Sequence, residues 1–222
     1  MNVLLNGLGL AEAAIAQQEA VLDIPACVAA AAVCDQQVPA IIGTGTEKQF
    51  VFTGVLRDEK PLRDWIAEIL ANCLGGYTFA YGRFRPFVRF HSGATEAFQE
   101  GNLIKGSLAL TSLRAAFNKL VATFADQDYS YQANSVELVD ADHKNRIGHE
   151  LASQINLVGT ATKSQAARIV TARLREELGG LTAQERRAAR RIRFLTTVLS
   201  LNVEPSMVCS LWHEDMPGGS GE

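Results

Sequence analysis

Between Pro61 and Phe90 the spacing of apolar side chains changes period, and that change restricts the fold more than any other feature. Leu62, Trp65, Ile66, Ile69, Leu70 and Cys73 recur at steps of three and four, the repeat of a helix with one apolar stripe. Pro61 suits the first turn, where its missing N–H would have had no partner. Gly75-Gly76 is the expected stop, because glycine enters the left-handed conformation without a Cβ clash. Directly afterwards Tyr77, Phe79 and Tyr81 alternate with Thr78 and Ala80, and Phe84, Pro86, Val88 and Phe90 alternate on the return. Gly82-Arg83 reads as the two-residue turn of a hairpin. Pro86 cannot donate to a ladder, so its strand should lie at an edge or carry a bulge. A helix running straight into a hairpin, both facing one core, predicts a small α+β unit.

On either side the patterns are weaker. Ala11–Val21 and Ala26–Cys34 are alanine-rich helix formers, the second bracketed by Pro25 and Pro39, with too little charge to give either face a direction. A Gly-Thr loop at 43–46 leads to Gln49–Val55, whose aromatic and β-branched residues predict a strand. Later candidates are Phe117–Phe124, with Leu120, Ala122 and Phe124 alternating, then Ser135–Val139 and Gln154–Val158. Thr162-Lys163-Ser164-Gln165 fits a capping box opening a helix that Gly179-Gly180 ends. Ile192–Leu201 and Met207–Trp212 read as closing strands around a Val203-Glu204-Pro205 turn. Strands that embrace one helix predict a barrel-like domain with a helical insertion. The expected organisation is a helical segment 1–48, an α+β domain 49–112, and a β-barrel-like domain 113–222 with its helix at 163–178.

The 222 residues can bury one large core or two small ones. A net charge of −3 argues against a dedicated nucleic-acid binder, and no apolar run reaches the roughly 20 residues of a membrane span. Asn2–Leu10 is apolar but short and interrupted by Glu12, so no secretory signal is read. Cys27, Cys34, Cys73 and Cys209 are too few and scattered for a disulfide scaffold, and reduced thiols in a cytoplasmic product fit them.

No catalytic constellation emerges. The loop from Gly43 through Lys48 lacks the G-x-x-x-x-G-K-[ST] spacing that aims successive N–H groups at phosphate. There is no C-x-x-C pair, and Gly218-Gly219-Ser220-Gly221 is not a nucleophile elbow. Asp126 with Asp128, and Asp140 with Asp142 beside His143, could serve a hard cation. Aspartates at strand ends more commonly cap turns through backbone amides, which is the favoured reading. His149 and His213 have no spaced partner, and His91, following a strand end, reads as a surface residue rather than a base. No cofactor and no metal are expected, and the chain reads as a non-enzyme.

The main charge feature is the strip from Arg186 to Arg193. Arg186, Arg187, Arg190 and Arg191 could form a partner-docking strip for an acidic neighbour, or contact nucleic acid. A solvated helical face, partly balanced by Glu176, Glu177 and Glu185, is the reading the residues favour.

Several stretches resemble the central region of siphophage tail tip attachment proteins, also called host-specificity or tail hub proteins. They include Phe52-Thr53-Gly54-Val55, Arg57 to Trp65, Asn72-Cys73-Leu74-Gly75, Thr95 to Phe98 with Glu100-Gly101-Asn102, Phe117 to Leu120, and Phe124-Ala125-Asp126. The longest runs from Thr162 to Val170 and on through Arg173 to Gly180, and Met207 to Ser210 with His213 and Asp215 to Gly219 completes the likeness. It covers about residues 50–222 and consists mostly of structural punctuation. The resemblance implies a virion tail component made in the bacterial cytoplasm, a homo-oligomer (a trimeric ring in that family) in contact with other tail proteins. It implies no membrane partner and no specific nucleic acid. Family members are much longer, and their distal regions meet the host receptor. This sequence stops at Glu222, where a further barrel strand is expected, so a hub fragment or split prophage gene is the expectation. The alternatives are a tail-associated cell-wall-degrading enzyme, which needs two facing carboxylates or a metal, and a nucleic-acid-contacting protein acting through the arginine strip.

Overall fold

A computed structural model of the chain describes residues 21–55, 59–80, 82–89, 96–112, 117–179, 190–197, 203 and 209–213. The expected helix at Ala11–Val21, apart from its last residue, lies outside them, as do His91, Arg186 and Arg187. The elements in order are α1 (Ile24–Cys34), β1 (Gln37–Pro39), β2 (Thr46–Lys48), α2 (Leu62–Ala71), β3 (Gly75–Ala80), β4 (Arg83–Val88), β5 (Glu96–Phe98) and β6 (Ala109–Ser112). There follow β7 (Lys119–Asp126), β8 (Gln132–Val139), α3 (Ala141–Ile147), β9 (Ala152–Leu157), α4 (Lys163–Leu178), β10 (Arg190–Arg193) and β11 (Cys209–Leu211). The class is α+β. The chain divides into two compact units, one of residues 1–89, 121–138 and 154–171, the other of 90–120, 139–153 and 172–222.

In the first unit, α2 follows the predicted stripe and buries Trp65. The left-handed residue that ends its final turn is Leu74, at φ +55°, not a glycine. Gly75 and Gly76 instead open β3, where a Cβ on Gly75 would stand 2.8 Å from the Phe87 carbonyl oxygen and one on Gly76 would meet the Phe87 ring. They are glycines because two strands approach closely. β3 and β4 pair antiparallel with Ala80 opposite Arg83, so the turn falls one residue earlier than expected, with Gly82 at φ +76°. Pro86 pairs with Tyr77 in a two-stranded sheet, as its missing donor requires. Phe84 lies at the centre of the small core, stacked on Tyr77 and edge-on to Phe79, with Leu22, Ile24 and Ile66 against it.

The middle strand of the three-stranded sheet, β7, lies between β8 and β9. Leu120, Ala122 and Phe124 are buried as the alternation predicts, and Asp126 continues the same buried face. Gln49–Val55, expected as a strand, forms none. Two short strands, β1 and β2, pair across the Gly-Thr loop instead, with Gly43 and Gly45 at φ +99° supplying the turn.

In the second unit β6 pairs antiparallel with β10, β5 pairs parallel with β11, and Phe98 meets Phe194 edge-on. Of the expected strand Ile192–Leu201, Ile192 and Arg193 belong to β10, and residues 198–201 lie outside the described residues. The expected barrel does not form among the described residues: sheets have two or three strands and none closes. Strands of three or four residues, such as β5, β6, β10 and β11, offer too little ladder to wrap a sheet round on itself.

Candidate functional site

Phe52, Thr53, Asn72, Thr162 and Gln165, five of the residues quoted for the resemblance, meet in the first unit, around the start of α4. The Thr162 hydroxyl accepts from Gln165 N–H at 3.3 Å, half of the capping box. The Gln165 side chain does not return to Thr162, as a full box requires. It points inward, accepting from Val51 N–H at 3.1 Å and donating to the carbonyls of Val51 (3.0 Å) and Asn72 (3.3 Å). Asn72 in turn accepts from Gly159 N–H and the Thr160 hydroxyl at 3.2 and 3.0 Å and donates to the Glu68 carbonyl. Thr53 N–H donates to the Gly159 carbonyl at 2.7 Å, and the Phe52 ring lies so close to Gly159 that a Cβ there would overlap it.

One turn further along α4, Arg168 forms an ion pair with Glu47 and donates to the Gln49 carbonyl at 2.7 Å, while the Ser164 hydroxyl donates to Glu47 at 2.6 Å. Glu47 and Lys48, from the loop weighed as a phosphate cradle, are thus engaged elsewhere, Lys48 with Asp35 at 2.6 Å. The result is a joint of buried polar side chains that fixes residues 49–53, a segment without ladder partners of its own.

Beside this joint, in the same unit, lies an apolar groove of about 600 Å³ formed by α1, α2, residues 50–52 and β4. No residue of α1 is buried, and Val28, Val51 and Phe52 are exposed on the groove. That agrees with the lack of facial direction in the α1 sequence. Cys34 and Cys73 line the groove as well.

Two of the four aspartates weighed as metal ligands, Asp126 and Asp140, act as caps. Asp126 accepts from Asp128 N–H at 3.0 Å and from the Asn134 amide at 2.7 Å. Asp140 accepts from His143 N–H at 2.7 Å, at the start of α3. Among the described residues no three His, Cys, Asp or Glu side chains come together as a cation site, and no helix is long and apolar enough to cross a membrane. His143 is buried in the second unit beside Asn118, whose side chain accepts from Leu151 N–H at 2.8 Å and donates to the His149 carbonyl. His149 is exposed, its Nδ1 3.0 Å from the Ile147 carbonyl oxygen. Glu150, between Lys119 and Lys144, is held below its ordinary 4.5, chiefly by the hydrogen bond from Lys144.

Arg190 and Arg191 belong to β10, opposite Ser112 and Thr111, so a strand and not a helical face carries that end of the arginine strip. The Gln165–Asn72 joint and the apolar groove escaped sequence reasoning, because their parts lie up to 121 residues apart. The one available signal was Gln165 itself, read as half of a local cap.

No known protein-family profile and no curated protein matches this chain. A solved structure described as "Virion of native gene transfer agent (GTA) particle" is similar over 75% of this chain, at 15% identity and a TM-score of 0.46. The chain spans 35% of the length of that protein. A likeness of that degree bears on neither activity nor partners.

Proposed function

We propose that this chain is a structural component of a bacteriophage or prophage tail tip, a hub segment that works by associating with copies of itself and with other tail proteins. The observation that carries the reading is where the family-like residues go. Phe52, Thr53, Asn72, Thr162 and Gln165 converge on one joint, where the side chains of Asn72, Thr162 and Gln165 bond to backbone groups and to the Thr160 hydroxyl. Such residues hold a fold in register. The groove next to them presents apolar surface of the kind that subunit contacts cover. The cell-wall-degrading alternative loses support, because Asp126 and Asp140, the carboxylates it would use, are committed to caps.

The test is to purify particles from the strain that encodes the chain and probe them with an antiserum against it. The protein should co-sediment with intact particles, and immunogold label should fall on the tail end. Protein that stays wholly in the soluble lysate, with particles unlabelled, would overturn the proposal.

A further inference from the structure

The loop between β1 and β2 carries two exposed isoleucines whose backbone is clamped to α4. Ile41 and Ile42 are 51% and 44% exposed, and residues 36–46 carry no charge. Their N–H groups both donate to the Ser164 hydroxyl, at 2.8 and 3.4 Å. Ser164 is itself buried and donates to Glu47, which Arg168 holds in an ion pair. Ala40 N–H donates to the Gly45 carbonyl at 3.1 Å and closes the loop behind them. One buried hydroxyl therefore orders both amides while the two apolar side chains stand in water. Ordering a surface segment costs conformational entropy. A tip that is already ordered loses less freedom when it binds.

We propose that the Ile41–Ile42 tip of one copy seats in the apolar groove of a second copy, a head-to-tail contact. The inference rests on the reading that copies of the chain associate, and it names the two surfaces that meet. Tip and groove belong to the same compact unit, and neither isoleucine lines the chain's own groove. The charges fit. Asp35 is the one charged residue among those lining the groove, and Lys48 pairs with it at 2.6 Å. An uncharged tip enters without stranding a charge, whereas a segment bearing lysine or glutamate would bury it unpaired. The contact removes apolar surface from water on both partners at once: Val28, Val51 and Phe52 on the groove, Ile41 and Ile42 on the tip.

A tip-to-groove contact is heterologous. Each copy uses its tip on one neighbour and its groove on another, so association continues until a ring closes or a filament grows. A groove-to-groove contact would be isologous and stop at a pair. The two arrangements differ in what a mixture of damaged copies can do. A copy with a damaged groove still offers its tip, and a copy with a damaged tip still offers its groove. Head-to-tail docking lets these two join once and no further.

The test is sedimentation velocity on the full chain, on Val28→Asp, on the double variant Ile41→Asp/Ile42→Asp, and on an equimolar mixture of the two variants. The replaced side chains are exposed, so both variants should keep the parent's urea midpoint. Ile41→Ser/Ile42→Ser takes the place of the double aspartate if that midpoint shifts. The parent should pass beyond pairs as concentration rises, each variant alone should stay monomeric, and the mixture should form a one-to-one pair. A tip variant that associates like the parent would overturn the inference. If Val28→Asp stays monomeric in that case, self-association through the groove stands without the tip. A mixture in which both variants remain monomeric, or a parent that is monomeric throughout, would also overturn it. The tail-tip reading is decided separately, by the particle experiment.

Discussion

A buried amide satisfied at both ends adds little net stability, but truncating it strands every group it served. Gln165 is 3% exposed, and its loss would leave Val51 N–H without its acceptor and the Val51 and Asn72 carbonyls without a donor. Gln165→Ala should therefore lower the unfolding free energy by about 2–3 kcal/mol, read as a lower urea midpoint at unchanged slope. A loss within about 0.5 kcal/mol, the usual range for surface changes, would mean that water replaces the amide freely and that the joint is not structural. Other single residues were legible in advance because their chemistry is local. Asp126 and Asp140 satisfy N–H groups two and three residues on, a pattern that spacing alone reveals. Gln165 was legible only as a helix start, since its other partners are fixed by tertiary structure.

At the scale of elements, patterns with a strong period survived, while of those resting on propensity the Ala26–Cys34 helix formed and the Gln49–Val55 strand did not. α2, the β3–β4 hairpin, β7 and α4 each carry an apolar repeat that a single burial direction satisfies. Gln49–Val55 has β-forming residues, but its backbone groups are taken by Gln36, Cys34, Gly159, Gln165 and Arg168, which leaves no ladder to join. β1 and β2 were missed for the converse reason: Gln37, Glu47 and Lys48 give no apolar alternation, and the two glycines of the turn do the folding. The junction of α2 and β3 makes a sharp prediction about glycine. If Gly75 served only to end the helix, Gly75→Ala would be mild, because Leu74 already holds the left-handed position. A Cβ 2.8 Å from the Phe87 backbone oxygen must instead push the hairpin apart. The expected cost is about 1–3 kcal/mol, the range for overpacking. Thermal melts of the variant and the parent decide between the two readings, and an unchanged midpoint would remove the close-approach argument.

For the whole molecule, the main fact left by the fold is apolar surface that the described residues do not cover. Val28 is 63% exposed on α1, a helix with no buried residue, and it shares the groove with the exposed Val51 and Phe52. Single exposed valines need no explanation, but a contiguous groove of them does. If self-association or a neighbouring tail protein covers this surface, a charge placed there should break the contact and leave the fold alone. Val28→Asp is suited to the purpose: the side chain lies mostly in water, and surface substitutions of this kind usually stay within about 0.5 kcal/mol. In sedimentation velocity, the parent chain should shift to faster-moving species as concentration rises. Val28→Asp should stay at the monomer value over the same range, with an unchanged urea midpoint. Parent and variant that sediment alike as monomers at every concentration would exclude the groove as a self-contact. The proposal that copies of the chain meet through this groove would then fail, and the groove would need an occupant other than a second copy.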